Sequence, residues 1–125
     1  MNIIDCIENN LFLKKIFPNG LGEVLVGQFG LEKGRFSITL HTRSKPATET
    51  AKWGIWGKNY DVIAFELIGG GIQEIEIHNW NAFDFATITC HKNGNKISIE
   101  LSGSNWSFKL SCAVLVFQRS STYLG

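Results

Sequence analysis

Arg35-Phe36-Ser37-Ile38-Thr39-Leu40-His41 alternates polar and large apolar residues, one by one. Successive side chains of a strand point to opposite faces. Phe36, Ile38 and Leu40 therefore share one face, and Arg35, Ser37, Thr39 and His41 the other. The period of two recurs down the chain. Ala86, Ile88 and Cys90 alternate with Thr87, Thr89 and His91. Ile97, Ile99 and Leu101 alternate with Ser98 and Glu100, and Trp106, Phe108, Leu110 and Cys112 with Ser107, Lys109 and Ser111. One buried face and one wet face is the pattern of antiparallel sheet.

Working outward, turn residues divide the chain into seven expected strands: residues 23–31, 35–43, 60–68, 72–80, 85–91, 96–102 and 106–118. Glu32-Lys33-Gly34, Asn93-Gly94 and Gly103-Ser104-Asn105 read as hairpin connections, as does Gly69-Gly70-Gly71. The last strand is apolar on both phases from Cys112 to Phe117, which predicts a central strand covered on both faces. Before the first strand, Ile3, Ile4, Ile7 and Leu11 are spaced three and four apart, which predicts one face of a short helix. Asn9-Asn10 either ends that helix or opens a second short turn from Leu11 to Ile16. Pro18 and the Asn19-Gly20 dipeptide stop the helical region. Residues 44–58 have no period and contain Pro46, so they read as an exposed loop leading into Trp53-Gly54-Ile55-Trp56-Gly57. The expected class is α+β: an antiparallel β meander of about seven strands with a short N-terminal helix packed on one face. A half-barrel plugged by the helix and a sandwich satisfy the pattern equally.

Composition bounds the partners. At 125 residues the chain is expected to be a single domain, residues 1–125. Nine Phe, four Trp and an apolar fraction of 44% are enough to repay chain entropy, so the chain is expected to be ordered. Twelve basic residues against eleven acidic ones leave no global field to steer the chain to nucleic acid or an anionic membrane. No stretch approaches the roughly 20 apolar residues of a membrane helix. The opening Met1-Asn2-Ile3-Ile4-Asp5 is unlike a secretory signal, so a cytoplasmic location is expected. Cys6, Cys90 and Cys112 are odd in number and widely spaced; they read as small buried hydrophobes in a reducing compartment. Folding is expected to need neither metal nor disulfide, and the product to be a monomer or weak dimer.

Nucleophile elbows, phosphate-cradling glycine loops and zinc-protease motifs are missing from the sequence. His41, His78 and His91 are far apart, each on a polar strand phase. One strand stands out: in Gln73-Glu74-Ile75-Glu76-Ile77-His78-Asn79-Trp80, residues Glu74, Glu76, His78 and Trp80 share a phase, with neighbours about 7 Å apart. The readings for it are a solvated face, a protein-binding patch, or half of a metal or acid/base site. Trp53 and Trp56 form the second candidate surface. They follow an irregular loop where the sheet pattern demands no large apolar groups, and such aromatics either anchor partners or fold back to plug the sheet.

Over roughly its full length the chain resembles the immunity protein 50 group, small β-rich immunity proteins of bacterial polymorphic-toxin and contact-dependent inhibition systems. The likeness rests on the helical opening ending in Leu13-Lys14-Lys15-Ile16-Phe17-Pro18 and the strand Glu23-Val24-Leu25-Val26. It continues through residues 36–42, the Pro-containing loop before Trp53, Asp61-Val62-Ile63-Ala64-Phe65, the strand ending in Trp80, and residues 108–116. It is a likeness of strand order, and no functional residue is carried over by motif. It implies a protein without catalysis or cofactor that binds a cognate toxin domain and blocks its active site or substrate access. The expected toxin-binding residues are Trp53, Trp56, Tyr60, Glu74, Glu76 and His78. Two rival readings are a small-ligand or carbohydrate-binding β-domain using Trp residues, and an enzyme built on Glu74, Glu76 and His78.

Overall fold

The fold was determined as a computed structural model and is described for residues 2–125. It is mainly antiparallel β with little helix, as the alternation predicts. Nine strands form two open sheets: β1 (Glu23–Glu32), β2 (Arg35–Thr42), β3 (Val62–Gly70), β4 (Glu74–His78), β5 (Ala86–Thr87), β6 (Thr89–Asn93), β7 (Lys96–Ser102), β8 (Ser107–Cys112) and β9 (Val114–Tyr123). One sheet has the order β5-β1-β2-β3-β9 and the other β4-β8-β7-β6. Each is built round a meander of three consecutive strands, β1-β2-β3 and β6-β7-β8.

The buried faces of the two sheets share one core. Val24, Val26, Phe36, Ile38, Leu40, Phe65 and Leu67 line one side and Cys90, Ile97, Ile99, Phe108 and Leu110 the other. The two layers touch where the rings of Phe29 and Phe108 meet edge to face, centroids 5.5 Å apart. Burial of these side chains is the main stabilising term, at roughly 1.5–3 kcal/mol for each large one.

Two expected strands are each split in two, and both splits are passages between sheets. The 106–118 segment breaks at Ala113, whose N–H donates to Gly70 O at 3.0 Å. Before it β8 lies in the four-stranded sheet; after it β9 pairs with β3 in the other. β9 is consequently an edge strand and not the central one expected. The 85–91 segment divides at Ile88 in the same way, leaving a two-residue β5 in one sheet and β6 in the other. The triple glycine is also a passage and not a hairpin, since β3 and β4 belong to different sheets. Gly69 is required there because the Phe36 ring lies across it: a Cβ would sit 2.3 Å from the ring.

The N-terminal helix is shorter than its spacing predicts. Residues Ile3–Cys6 form a 3-10 turn and Leu11–Ile16 a separate helix, α1. Ile3, Ile4 and Ile7 are buried as expected, but Leu11 is 85% exposed because the chain bends at Asn9-Asn10. The bend is held by Asn10, whose side-chain amide donates to Ile4 O at 2.8 Å. Cys6, Cys90 and Cys112 are all buried thiols. Loss of hydration pushes the Cys112 thiol up to about 11, and raises Cys90, which also hydrogen-bonds Cys6. Neutral thiols of this kind behave as packing groups.

Candidate functional site

β4 is one of the two outer strands of its sheet and, among the described residues, pairs only with β8. The register sets Ile75 against Leu110 and Ile77 against Phe108, so the isoleucines face the core side at its margin. Glu74, Glu76 and His78 face the other way, beside Ser111, Lys109 and Ser107, and all three are exposed. The next strand adds Glu100 opposite Lys109. One ammonium thus stands among three carboxylates. Glu76 and Glu100 flank Lys109 in one cross-strand row, and Glu74 Oε1 lies 3.6 Å from Lys109 Nζ. The locality is acidic although the whole chain is nearly neutral. Among the described residues, no cluster of His, Cys, Asp and Glu has an arrangement that could hold a metal ion.

Trp80 departs from the expected phase. Asn79 adopts a left-handed conformation (φ 58°), which ends the strand and starts the turn Trp80–Ala82. The indole swings to the core side and packs on Phe83 at 4.7 Å, and Phe83 packs on Trp106 at 4.6 Å. Trp80 remains 39% exposed, as does Ile77. Ile77 lies within β4 and Trp80 two residues beyond its end, so the open flank carries apolar surface as well as charge. Exposure of Ile77 was not legible from the period of two, because the alternation assigns it inward and says nothing of the strand being an edge.

The tryptophan loop takes the second of its two expected readings and folds back on the sheet. Trp53 and Tyr60 are buried and Trp56 is half-buried, so no open aromatic platform forms. The rings fold back on one another. Tyr60 meets Trp53 at 5.8 Å and Trp56 at 5.3 Å, and Phe12 of α1 closes on Trp53 at 5.7 Å. A parallel bridge between Trp56 and Tyr60 ties the loop together, and Asn59 Oδ1 accepts the Ile55 N–H at 2.8 Å. Burial, and secondarily the charge of Glu49, raises the Tyr60 phenol above its ordinary value. The loop plugs an end of the sheet that holds β3. The four tryptophans stand in two separate aromatic stacks, with Trp53 and Trp56 on Tyr60 and Trp80 and Trp106 on Phe83, and they do not line one pocket.

Of the histidines, His78 and His91 are exposed as expected, while His41 is half-buried. Its ring lies over Gly27, and Nδ1 is 2.7 Å from the Tyr123 hydroxyl. Desolvation lowers its pKa.

The model of one protein family, described as immunity protein 50, matches residues 11–123, a span that holds all nine strands and both candidate groups. The chain belongs to the immunity protein 50 family. Membership carries a toxin-neutralising role, a role generally exercised by binding and not by catalysis. No curated protein and no solved structure matches the chain. No helix among the described residues is long and apolar enough to cross a membrane.

Proposed function

We propose that this immunity protein neutralises one cognate toxin domain by binding it through the β4 flank, covering the toxin's active site or the route its substrate takes. The observation that carries the reading is the exposure of Glu74, Glu76 and His78 together on one strand. An interface needs a surface that the fold does not already use, and this row is polar, projecting and adjacent to the exposed apolar groups Ile77 and Trp80. Charge concentrated there accelerates encounter with a basic surface and rejects an acidic one. Trp56 keeps a half-exposed ring and is a second contact in this reading; Trp53 and Tyr60 act by holding it in place. The protein works as a monomer or weak dimer in the compartment where the toxin would act.

Co-expression tests the reading. The toxin domain encoded beside this gene should arrest growth when expressed alone, and this chain should restore growth against that toxin but not against an unmatched one. Continued arrest with the chain present at a soluble, folded level would overturn the proposal.

A further inference from the structure

Two sheets have four edges, and the chain itself covers part of three of them. β5 offers only two residues. β6 has the 3-10 turn Ile3–Cys6 packed against it. β9 is capped from the N-terminal segment: Glu8 N–H donates to Leu115 O at 3.0 Å, and the Asn9 carboxamide makes two bonds to Phe117. β4 presents a five-residue edge that no described residue pairs with from the side opposite β8, and it joins that free edge to the exposed row Glu74, Glu76 and His78. Unpaired strand edges are templates for another strand, and folded proteins normally cover or blunt them.

We infer that the free edge of β4 accepts an extended segment of the toxin as a fifth strand of the four-stranded sheet, and that this segment alternates Lys or Arg with apolar residues. The inference rests on the toxin-binding reading above and adds the recognition mode and the chemistry of the partner. Side-chain alternation defines the occupant. A fifth strand would place every second residue beside Glu74, Glu76 and His78 and the others beside Ile75 and Ile77. Lys109 already shows what suits this row from the β8 side, a long cation directly opposite Glu76. A basic residue opposite Glu76 on the open side would repeat that pairing, and apolar residues between would cover Ile75 and Ile77. A second copy of this chain fits poorly: the register centred on Ile77, with Glu76 opposite His78, leaves Glu74 outside the paired stretch, and the full overlap brings like charges together. Antiparallel self-pairing centred on Glu76 sets that carboxylate against itself, and centring on Ile75 sets Glu74 against Glu76; like charges directly opposite disfavour both. The same carboxylates that keep copies apart select the partner.

Amide hydrogen exchange on this chain, alone and saturated with a catalytically inactivated copy of the adjacent toxin domain, decides the matter. The expected result is that amides within residues 74–78 slow at least tenfold in the complex. Glu76→Lys should lower affinity tenfold or more, Glu76→Gln by less, and reversal of one basic residue in the bound toxin strand should recover binding to Glu76→Lys. A saturated complex whose 74–78 amides exchange at the free rate would show that strand addition is wrong while toxin binding stands. Unchanged affinity for both Glu76 variants would show that the occupant is not basic. If the toxin domain does not bind at all, the inference and the reading beneath it both fall.

Discussion

β9 and β4 are both edge strands, yet their flanks are built in opposite ways. On β9, the chain spends a backbone amide and an asparagine to cap the edge. Phe117 N–H donates to Asn9 Oδ1 at 2.6 Å and Asn9 Nδ2 donates to Phe117 O at 2.9 Å, so one side chain stands in for a neighbouring strand. Phe12 then stacks on Phe117 at 6.1 Å and leads into the Trp53–Tyr60 plug. On β4, nothing comparable is present among the described residues, and charged groups project where β9 has rings. The difference separates two uses of similar residue types. Aromatics on the β9 flank hold the fold together, whereas carboxylates on the β4 flank contribute little to it and are available to a partner.

The hardest way to break this contrast is Trp53→Ala. If the β9 flank is structural, removing an indole that is 8% exposed should cost about 3–5 kcal/mol, read as a drop in the denaturant midpoint. Toxin affinity of the fraction still folded should be unchanged. The opposite result, full stability with lost affinity, would make Trp53 an anchor and return the loop to the binding site.

Asn9→Ala should act more gently and in a different way. Two hydrogen bonds at an exposed edge are lost, at about 1 kcal/mol in all. The Phe117 N–H and C=O would then be left for solvent or another chain. Denaturant titration should show the small destabilisation, and sedimentation should show concentration-dependent self-association absent from the parent. A variant that loses stability but stays as monomeric as the parent would mean that the carboxamide contributes hydrogen bonds without guarding the edge.

How far the sequence carries this contrast depends on what a period can report. Alternation reports burial, so β2, β7 and the outward set Glu74, Glu76 and His78 were all legible. Turn chemistry was legible too: Gly34 and Gly94 both have the positive φ that their hairpins need. Alternation does not report which sheet a strand belongs to. Across Ala113 the run of apolar residues continues while the chain leaves one sheet for the other, so Cys112 and Leu115 both read as one central strand although they bury from different layers. Edge status is equally silent, because pairing is a property of non-local neighbours; the cap from Asn9 to Phe117 spans 108 residues. For Trp53 and Tyr60 the sequence leaves anchor and plug both open, because an irregular loop has no period to say which way it folds. Trp80 was lost to a single backbone event, the left-handed Asn79, which resets the phase after His78.

The smallest expected effect is the sharpest test of the β4 side. Glu74 and Lys109 form an ion pair at 3.6 Å, with side chains 50% and 44% exposed. Exposed pairs of this kind gain little Coulomb energy in water and give some of it back in side-chain entropy, so they are worth about 0.5 kcal/mol or less. Glu74→Gln should therefore leave the denaturant midpoint nearly where it was, and salt should erase any difference that low ionic strength reveals. Lys109 would still lie between Glu76 and Glu100, which limits the loss further. A destabilisation near that of Asn9→Ala would mean that the carboxylates of β4 are part of the framework. The two edges would then differ only in the chemistry that closes them, and the case for a partner on β4 would lose its foundation.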